Sequence, residues 1–323
     1  METAAQAAFA STLNVILKLG FAVIIVLLPI YLIKAFWKAW VKYVRAEFFS
    51  KQKYTLLECR LPKGIAKGPL AMEIVITSLF QPGGEGNLFQ KFWEGSTKAW
   101  FSLEIASIDG YVRFYIWTRS KFKEMIETQL YAQFADIEID DVTKKDYAHL
   151  TPFDPETHQY WGCEFKKSGP SHLPIKTYTA YGLTGSSGEK EDGKVDPITP
   201  VIEFMGSLQK GEQAWLQICV RAHGKDKPKP GTWFEKVDWR YDAEKDLHKR
   251  NKRDIKMDAT KPVNPSLLTL TKGEKEAVDA IEGNLGKIPF DCGIRAIYVA
   301  KKEAYRGTTQ AGLSGILRHY GTP

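Results

Sequence analysis

The stretch from Ala99 to Val142 reads AWFSLEIASIDGYVRFYIWTRSKFKEMIETQLYAQFADIEIDDV. Two runs rich in β-branched and aromatic residues, 99–107 and 111–119, flank Asp109-Gly110. That dipeptide tolerates the positive φ angles of a tight hairpin turn, so the runs predict a β-hairpin. SKFKEMIETQLYAQF (120–134) places Phe122, Met125, Ile126, Leu130 and Phe134 at helical spacing, with Ser120 as the expected N-cap. ADIEIDDV (135–142) alternates, which predicts a strand.

Working outward, YTLLECRLP (54–62) predicts a strand ending at Pro62. GPLAMEIVITSLF (68–80) predicts a helix with Pro69 near its first position and Met72, Val75, Ile76 and Leu79 as its apolar face. PGGEGN (82–87) reads as a loop. The order β-α-β-β-α-β is the split βαβ of a ferredoxin-like sandwich.

The second half is expected to repeat the plan. Strands are expected at 175–182, 212–223 and 290–302, and helices at 198–208 and 271–287. The last helix opens with Thr271 and Glu274, a capping-box spacing. Ser78-Leu79 before Ala99-Trp100-Phe101 is echoed by Ser207-Leu208 before Ala214-Trp215-Leu216. A charged insertion covers about 224–265.

Upstream, Leu13–Ile33 (LNVILKLGFAVIIVLLPIYLI) holds 21 residues with one charge, Lys18. As a helix it would measure about 30 Å, the thickness of a bilayer core. The start, METAAQAAFA, has no basic n-region, and AFWKAW follows the apolar run, so an uncleaved anchor is expected. Lys34, Lys38, Lys42 and Arg45 follow the span, interleaved with Trp37, Trp40 and Tyr43. Basic residues on that side place the C-terminal bulk in the cytoplasm and the N-terminus outside. The three lysines share a helix face that suits anionic lipid, and the aromatics suit the headgroup level.

The expected organisation is therefore an α+β chain: tail 1–12, transmembrane helix 13–33 and basic-aromatic helix 34–53. A first ferredoxin-like module at 54–150, a linker at 151–174, a second at 175–302 forming a pseudo-repeat, and a tail at 303–323 follow. Of the 323 residues, 44% are hydrophobic and 26% charged, with a net charge of +7. Such a chain buries a sizeable core, and its basic balance favours acidic partners, nucleic acid or membrane. Cys59, Cys163, Cys219 and Cys292 form no C-x-x-C pair and read as reduced, buried thiols.

Catalytic motifs are weak. GEKEDGK (188–194) matches G-x-x-x-x-G-K, but Val195 stands where a phosphate loop needs Ser or Thr. Glu189, Glu191 and Asp192 would repel phosphate, and Pro197 and Pro200 block a helix starting at the lysine. His149, His158, Cys163 and His172 match no zinc spacing. Asp136, Glu138 and Asp140 sit at period two, on the wet face of a strand. No catalytic residue, cofactor or metal is expected. KRNKR (249–253) supplies Lys249, Arg250, Lys252 and Arg253 as a candidate nucleic-acid or partner contact, although Glu235, Asp238, Asp242, Glu244, Asp246 and Asp254 are mixed through the region.

Four stretches in order carry a resemblance: LLECRLPKG–KGPLAMEIVITSLF, WFSLEIASIDGYVRFYIWTR–FKEMIETQLYAQFADIEI, KVDPITPVIEFMGSLQKGEQAWLQICVRAH and AGLSGILRHYGTP. Together they resemble the N-terminal region of membrane-anchored type IV secretion and conjugation-type DNA-transfer proteins. In that family one transmembrane helix precedes a domain of unknown function, and a HerA/FtsK-like ATPase domain follows in many members. The resemblance implies a single-pass protein of the bacterial inner membrane, a homo-oligomer whose partners are a translocation ATPase and other secretion-machine subunits. The sequence has no Walker A or B motif, so the ATPase is expected beyond Pro323 or on a separate polypeptide. The function expected is a non-catalytic assembly module that positions that ATPase; the alternative is a membrane-tethered protein that binds nucleic acid through 224–256.

Overall fold

The computed structural model describes residues 2–62, 68–151, 154–183, 196–225, 227–228, 236–250 and 271–321. In chain order the elements are helix α1 (Glu2–Ser50), strand β1 (Tyr54–Arg60), helices α2 (Pro69–Ser78) and α3 (Leu88–Phe92), and strands β2 (Trp100–Ile108) and β3 (Tyr111–Arg119). Helix α4 (Lys123–Gln133), strand β4 (Glu138–Asp141), helix α5 (Tyr147–Leu150), strand β5 (His158–Phe165), helix α6 (Thr199–Gly206) and strand β6 (Glu212–Ala222) follow. Two short strands, β7 (Lys227–Pro228) and β8 (Lys236–Val237), precede helices α7 (Trp239–Arg250) and α8 (Lys272–Leu285), strand β9 (Phe290–Lys301) and helix α9 (Gly307–Gly315). The chain divides into two compact units, Met1–Gln52 with Gly83–Thr97, and Lys53–Pro82 with Lys98–Pro323.

In the first unit α1 is one helix of 49 residues with Pro29 inside it. The expected tail at 1–12 is helical from Glu2, and no break separates the apolar run from the basic-aromatic stretch. Residues 83–97, expected only as a loop over 82–87, form the short helix α3 and belong with α1.

The second unit is built on a mixed α+β plan around a seven-stranded sheet in the order β4-β1-β3-β2-β6-β9-β5, every neighbouring pair antiparallel. The hairpin forms as the sequence predicts. Asp109 (φ 53°) and Gly110 (φ 84°) both take positive φ at the turn, the geometry that Asp-Gly supplies at low strain. Gly110 is also required sterically, since a Cβ there would meet the Leu208 carbonyl oxygen at 2.7 Å. The two halves of the sheet join through β2 and β6, in register from Trp100 opposite Arg221 to Ile108 opposite Gln213.

One face of the sheet carries two apolar cores. Leu57, Phe101, Ile116 and Val220 pack with Val75 and Leu79 of the α2 end and with Ile126 and Leu130 of α4. Leu216, Ala296 and Tyr298 pack with Val201 and Met205 of α6 and with Leu313 and Ile316 at α9. The opposite face holds Leu56, Ala106, Tyr115, Trp215 and Val299 around Tyr147 of α5. Period-two alternation assigns each strand's side chains to these faces.

Several individual elements differ from the sequence expectation. Residues 175–182 are not a strand: Tyr178–Tyr181 form a 3-10 turn closed by Gly182 at φ 74°. Their tyrosines make separate contacts, Tyr178 OH donating to Glu73 (2.7 Å) and Tyr181 OH to the His319 carbonyl (2.6 Å). The edge strand is β5, inside the expected linker at 151–174, with Trp161, Cys163 and Phe165 on the helix-covered face. The expected tail at 303–323 contains α9, whose Leu313 is fully buried. Thus α9, rather than α8, lies with α6 over the second core. Ser120 does not cap α4; its hydroxyl bonds Thr55 Oγ1 at 2.8 Å, and a 3-10 turn precedes the helix. The capping box of α8 forms with both of its reciprocal bonds, a feature that stabilises a helix end by about 1 kcal/mol. Cys59 is buried, Cys163 and Cys219 are half-buried, and Cys292 is exposed rather than buried; all four are unpaired. GEKEDGK lies outside the described residues.

Candidate functional site

The most distinctive surface is α1. From Ile24 to Ile33 its large apolar side chains are exposed, from Ile30 at 47% to Ile33 at 68%. One helix in the described residues is thus long and apolar enough to span a membrane: within Ile24–Ser50 an 18-residue window has mean hydropathy 1.8 and no buried share.

At the end of this run the expected interface residues fall on two faces. Lys34, Lys38 and Lys42 are exposed and share one stripe because they recur every four residues. Trp37, Trp40 and Val44, spaced i, i+3, i+7, form the other. Trp37 packs against Phe92 with ring centroids 5.4 Å apart, and Trp40 meets Trp93 edge-on at 5.5 Å. Trp40 Nε1 donates to the Phe92 carbonyl at 3.0 Å. Tyr43 is exposed and lies 6.2 Å from the Trp40 ring. Arg45 is half-buried, with its Nε buried and unpaired, so it stands apart from the open lysine stripe. The sequence-level reading missed α3; the signal was Leu88, Phe89, Phe92 and Trp93 at i, i+1, i+4, i+5 between two glycine-bearing turns.

The basic insertion contributes a second feature. Pro170, Ser171, His172, Trp239, Asp242, Lys245, Asp246 and Lys249 line an open pocket of about 510 Å³. Asp246 accepts from His172 Nε2 (3.1 Å) and Arg250 Nε (2.7 Å). Burial works to raise the Asp246 pKa, but the bonds to Arg250 and His172 prevail and hold it below the ordinary carboxylate value. Arg250 is therefore committed to its own helix. Lys249 is exposed at the pocket, and Trp239 Nε1 is buried without a hydrogen-bond partner. Lys252 and Arg253 lie outside the described residues.

Two buried polar clusters tie elements together. Glu212, fully buried on β6, accepts from Tyr298 OH (2.5 Å), Arg306 Nε (2.9 Å), Arg306 Nη2 (2.5 Å) and the Gln209 backbone N–H (2.6 Å). Burial would raise its pKa, yet these donors, Arg306 first, bring it below the ordinary value. On the opposite face Tyr147 OH donates to Glu104, Gln217 Nε2 donates to Tyr147 OH (3.1 Å) and Arg295 Nε to Gln217 Oε1 (2.6 Å). Burial and Glu104 push the Tyr147 phenol far above its usual range, so it stays protonated. Both clusters satisfy buried charge within a packed core, as a scaffold requires.

The acids at 136, 138 and 140 are exposed. Arg60 reaches Asp140 at 3.0 Å and Glu138 at 3.8 Å across β1 and β4. His172 is engaged with Asp246, and no group of three potential metal ligands occurs among the described residues. No protein-family model, no curated protein and no solved structure matches this chain.

Proposed function

We propose that this chain is a membrane-anchored, non-catalytic assembly module of a type IV secretion-like or conjugation-type machine, with α1 as its single span. The observation that carries the reading is the exposed apolar run of α1, ending in a basic-aromatic stretch. Covering about 30 Å of apolar helix with lipid removes it from water, the dominant favourable term in such association. The positive-inside rule puts the sheet-bearing unit in the cytoplasm, where it would hold a separate or downstream translocation ATPase at the inner membrane.

The same proposal includes two split-βαβ, ferredoxin-like modules joined through β2 and β6. The order β4-β1-β3-β2 and the positions of α2 and α4 support the first. In the second, β5, β6 and β9 take the places of β1, β2 and β3, with α6 and α9 as the helices. The Ser-Leu echo agrees: Ser78 Oγ donates to the Val75 carbonyl and Ser207 Oγ to the Phe204 carbonyl, both at 2.7 Å at helix ends, and both leucines are buried. The outer edge of β5 pairs with no strand among the described residues, which makes it a route for subunit contact by strand addition.

Light scattering on the full chain in detergent, with and without the cell's translocation ATPase, tests the function. Self-association and a complex with the ATPase are expected. A monomer that ignores the ATPase contradicts the proposal. A second reading, nucleic-acid binding through the insertion, draws on Lys245 and Lys249 at the α7 pocket. It predicts affinity that falls steeply with salt and is lost when both lysines are changed to glutamate.

A further inference from the structure

The segment 83–97 has no role in the function proposed above, yet it is firmly built onto α1. Asn87 Oδ1 caps α3 by accepting from the Gln90 N–H at 2.8 Å. Trp37 and Trp40 hold Phe92 and Trp93 from one side. Gly95 closes the contact at φ +64°, where a Cβ would come within 2.2 Å of the Val44 carbonyl oxygen, so only glycine permits the approach.

What this docking leaves outward is apolar. Leu88 is 75% exposed, Phe89 61% and Trp93 55%. Side chains that large remain unburied although a packed neighbour lies beside them. Trp37, packed on Phe92, which lies between Phe89 and Trp93 in the chain, is itself part-exposed beside exposed Phe36, and the two lead along α1 to the bare run that ends at Ile33. Trp37 stands four residues past Ile33, about 6 Å along the helix axis. That is the depth of the headgroup region if the apolar run fills the bilayer core. Lys34 and Lys38, about 1.5 and 7.5 Å past Ile33, bracket that level on the neighbouring stripe, with Lys42 about a turn further out, complementary to anionic headgroups.

We propose that residues 83–97 form a second membrane-contacting element, with Leu88, Phe89 and Trp93 seated at the boundary between headgroups and acyl chains of the leaflet at the C-terminal end of α1. This rests on the reading of α1 as a span. The occupant is lipid because the patch is continuous with the apolar surface of α1, carries tryptophan at the interfacial level and borders a lysine stripe. The element would add a second, laterally displaced anchor to the lysines and tryptophans of α1 that set its depth and rotation.

The test uses the full chain in vesicles of phosphatidylcholine and phosphatidylglycerol that contain a diazirine-bearing lipid. Photolysis and peptide mapping then locate the adducts. Adducts are expected on 88–93 as well as on the α1 run. The Leu88→Asp/Phe89→Asp pair, at exposed positions, should lose the adducts on 88–93 while the chain stays in the alkaline-carbonate pellet. Adducts on α1 with none on 88–93 overturn this proposal and leave the span reading standing. No adducts on α1 and release by carbonate overturn the span reading itself. If cross-links join 88–93 to a second chain and the aspartate pair dissolves an oligomer, the patch is a protein contact and the lipid proposal is wrong.

Discussion

Replacing Arg306 by methionine leaves Glu212 buried with one fewer cation and two fewer charge-assisted bonds. The native carboxylate has no exposed surface, and Arg306 contacts it at 2.9 and 2.5 Å. Removing one partner of a buried pair costs about 3–5 kcal/mol. The Arg306 side chain is 36% exposed, so solvent screens part of the attraction and the lower end, about 3 kcal/mol, applies. The pH dependence has a definite sign. The folded pKa of Glu212 is depressed, so its stabilisation is full above the unfolded value of about 4.3 and is lost as pH falls through the lower folded value. Without Arg306 burial dominates and the folded pKa rises. The variant is then penalised at neutral pH and recovers as acid protonates the carboxyl. Urea unfolding of the full chain in detergent, followed by near-UV circular dichroism, should show the gap of about 3 kcal/mol at pH 7.5 narrowing toward pH 4. The double variant Arg306→Met/Glu212→Gln should recover part of the loss at neutral pH. A loss under about 0.5 kcal/mol, the range of an ordinary surface substitution, or a gap that does not change with pH refutes the reasoning.

Three further outcomes follow. Tyr147→Phe removes the phenol that donates to Glu104, itself only 7% exposed. It should cost about 1.5–3 kcal/mol by urea midpoint, the worth of a hydrogen bond to a charged group. Asp246→Asn removes the carboxylate that holds His172 and Arg250. Amide exchange in α7 should accelerate at pH 7, and in the parent chain the same loosening should appear only as pH falls through the depressed folded pKa of Asp246. Burial pushes the Cys59 thiol up to about 12 and raises the Cys292 thiol as well, but Cys292 is exposed, so iodoacetamide at pH 8 should modify Cys292 before Cys59, which it should reach only on unfolding. Equal rates at the two sites would contradict the burial of β1.

The first half of the sheet was legible because local signals and tertiary packing agree there. Asp109-Gly110 fixes the hairpin, and Met72, Val75 and Leu79 mark the buried side of the α2 region. The second half was harder because its first strand hides in HQYWGCEF, with a glycine mid-strand and prolines nearby. The stretch at 175–182 has strand-like tyrosines, but each finds its own partner in a turn. The helix α9 contains three glycines and shows little helical propensity; packing of Leu313 against the second core holds it. In the candidate site, the lysine stripe and tryptophans were visible from spacing. The partner of those tryptophans was not, because α3 lies some fifty residues downstream and nothing local in either stretch points to the other. The pocket at α7 likewise joins His172 to Asp246 across seventy-four positions.

The central claim is that α1 anchors this chain across a membrane with the sheet-bearing unit on the cytoplasmic side. A membrane-impermeant maleimide applied to intact spheroplasts that make the full-length Thr3→Cys variant tests it most directly. The account predicts that the thiol at position 3 is labelled in intact cells, whereas Cys292, exposed on β9, is labelled only after lysis. Labelling of Cys292 in intact spheroplasts, or protection of position 3 until lysis, would contradict it.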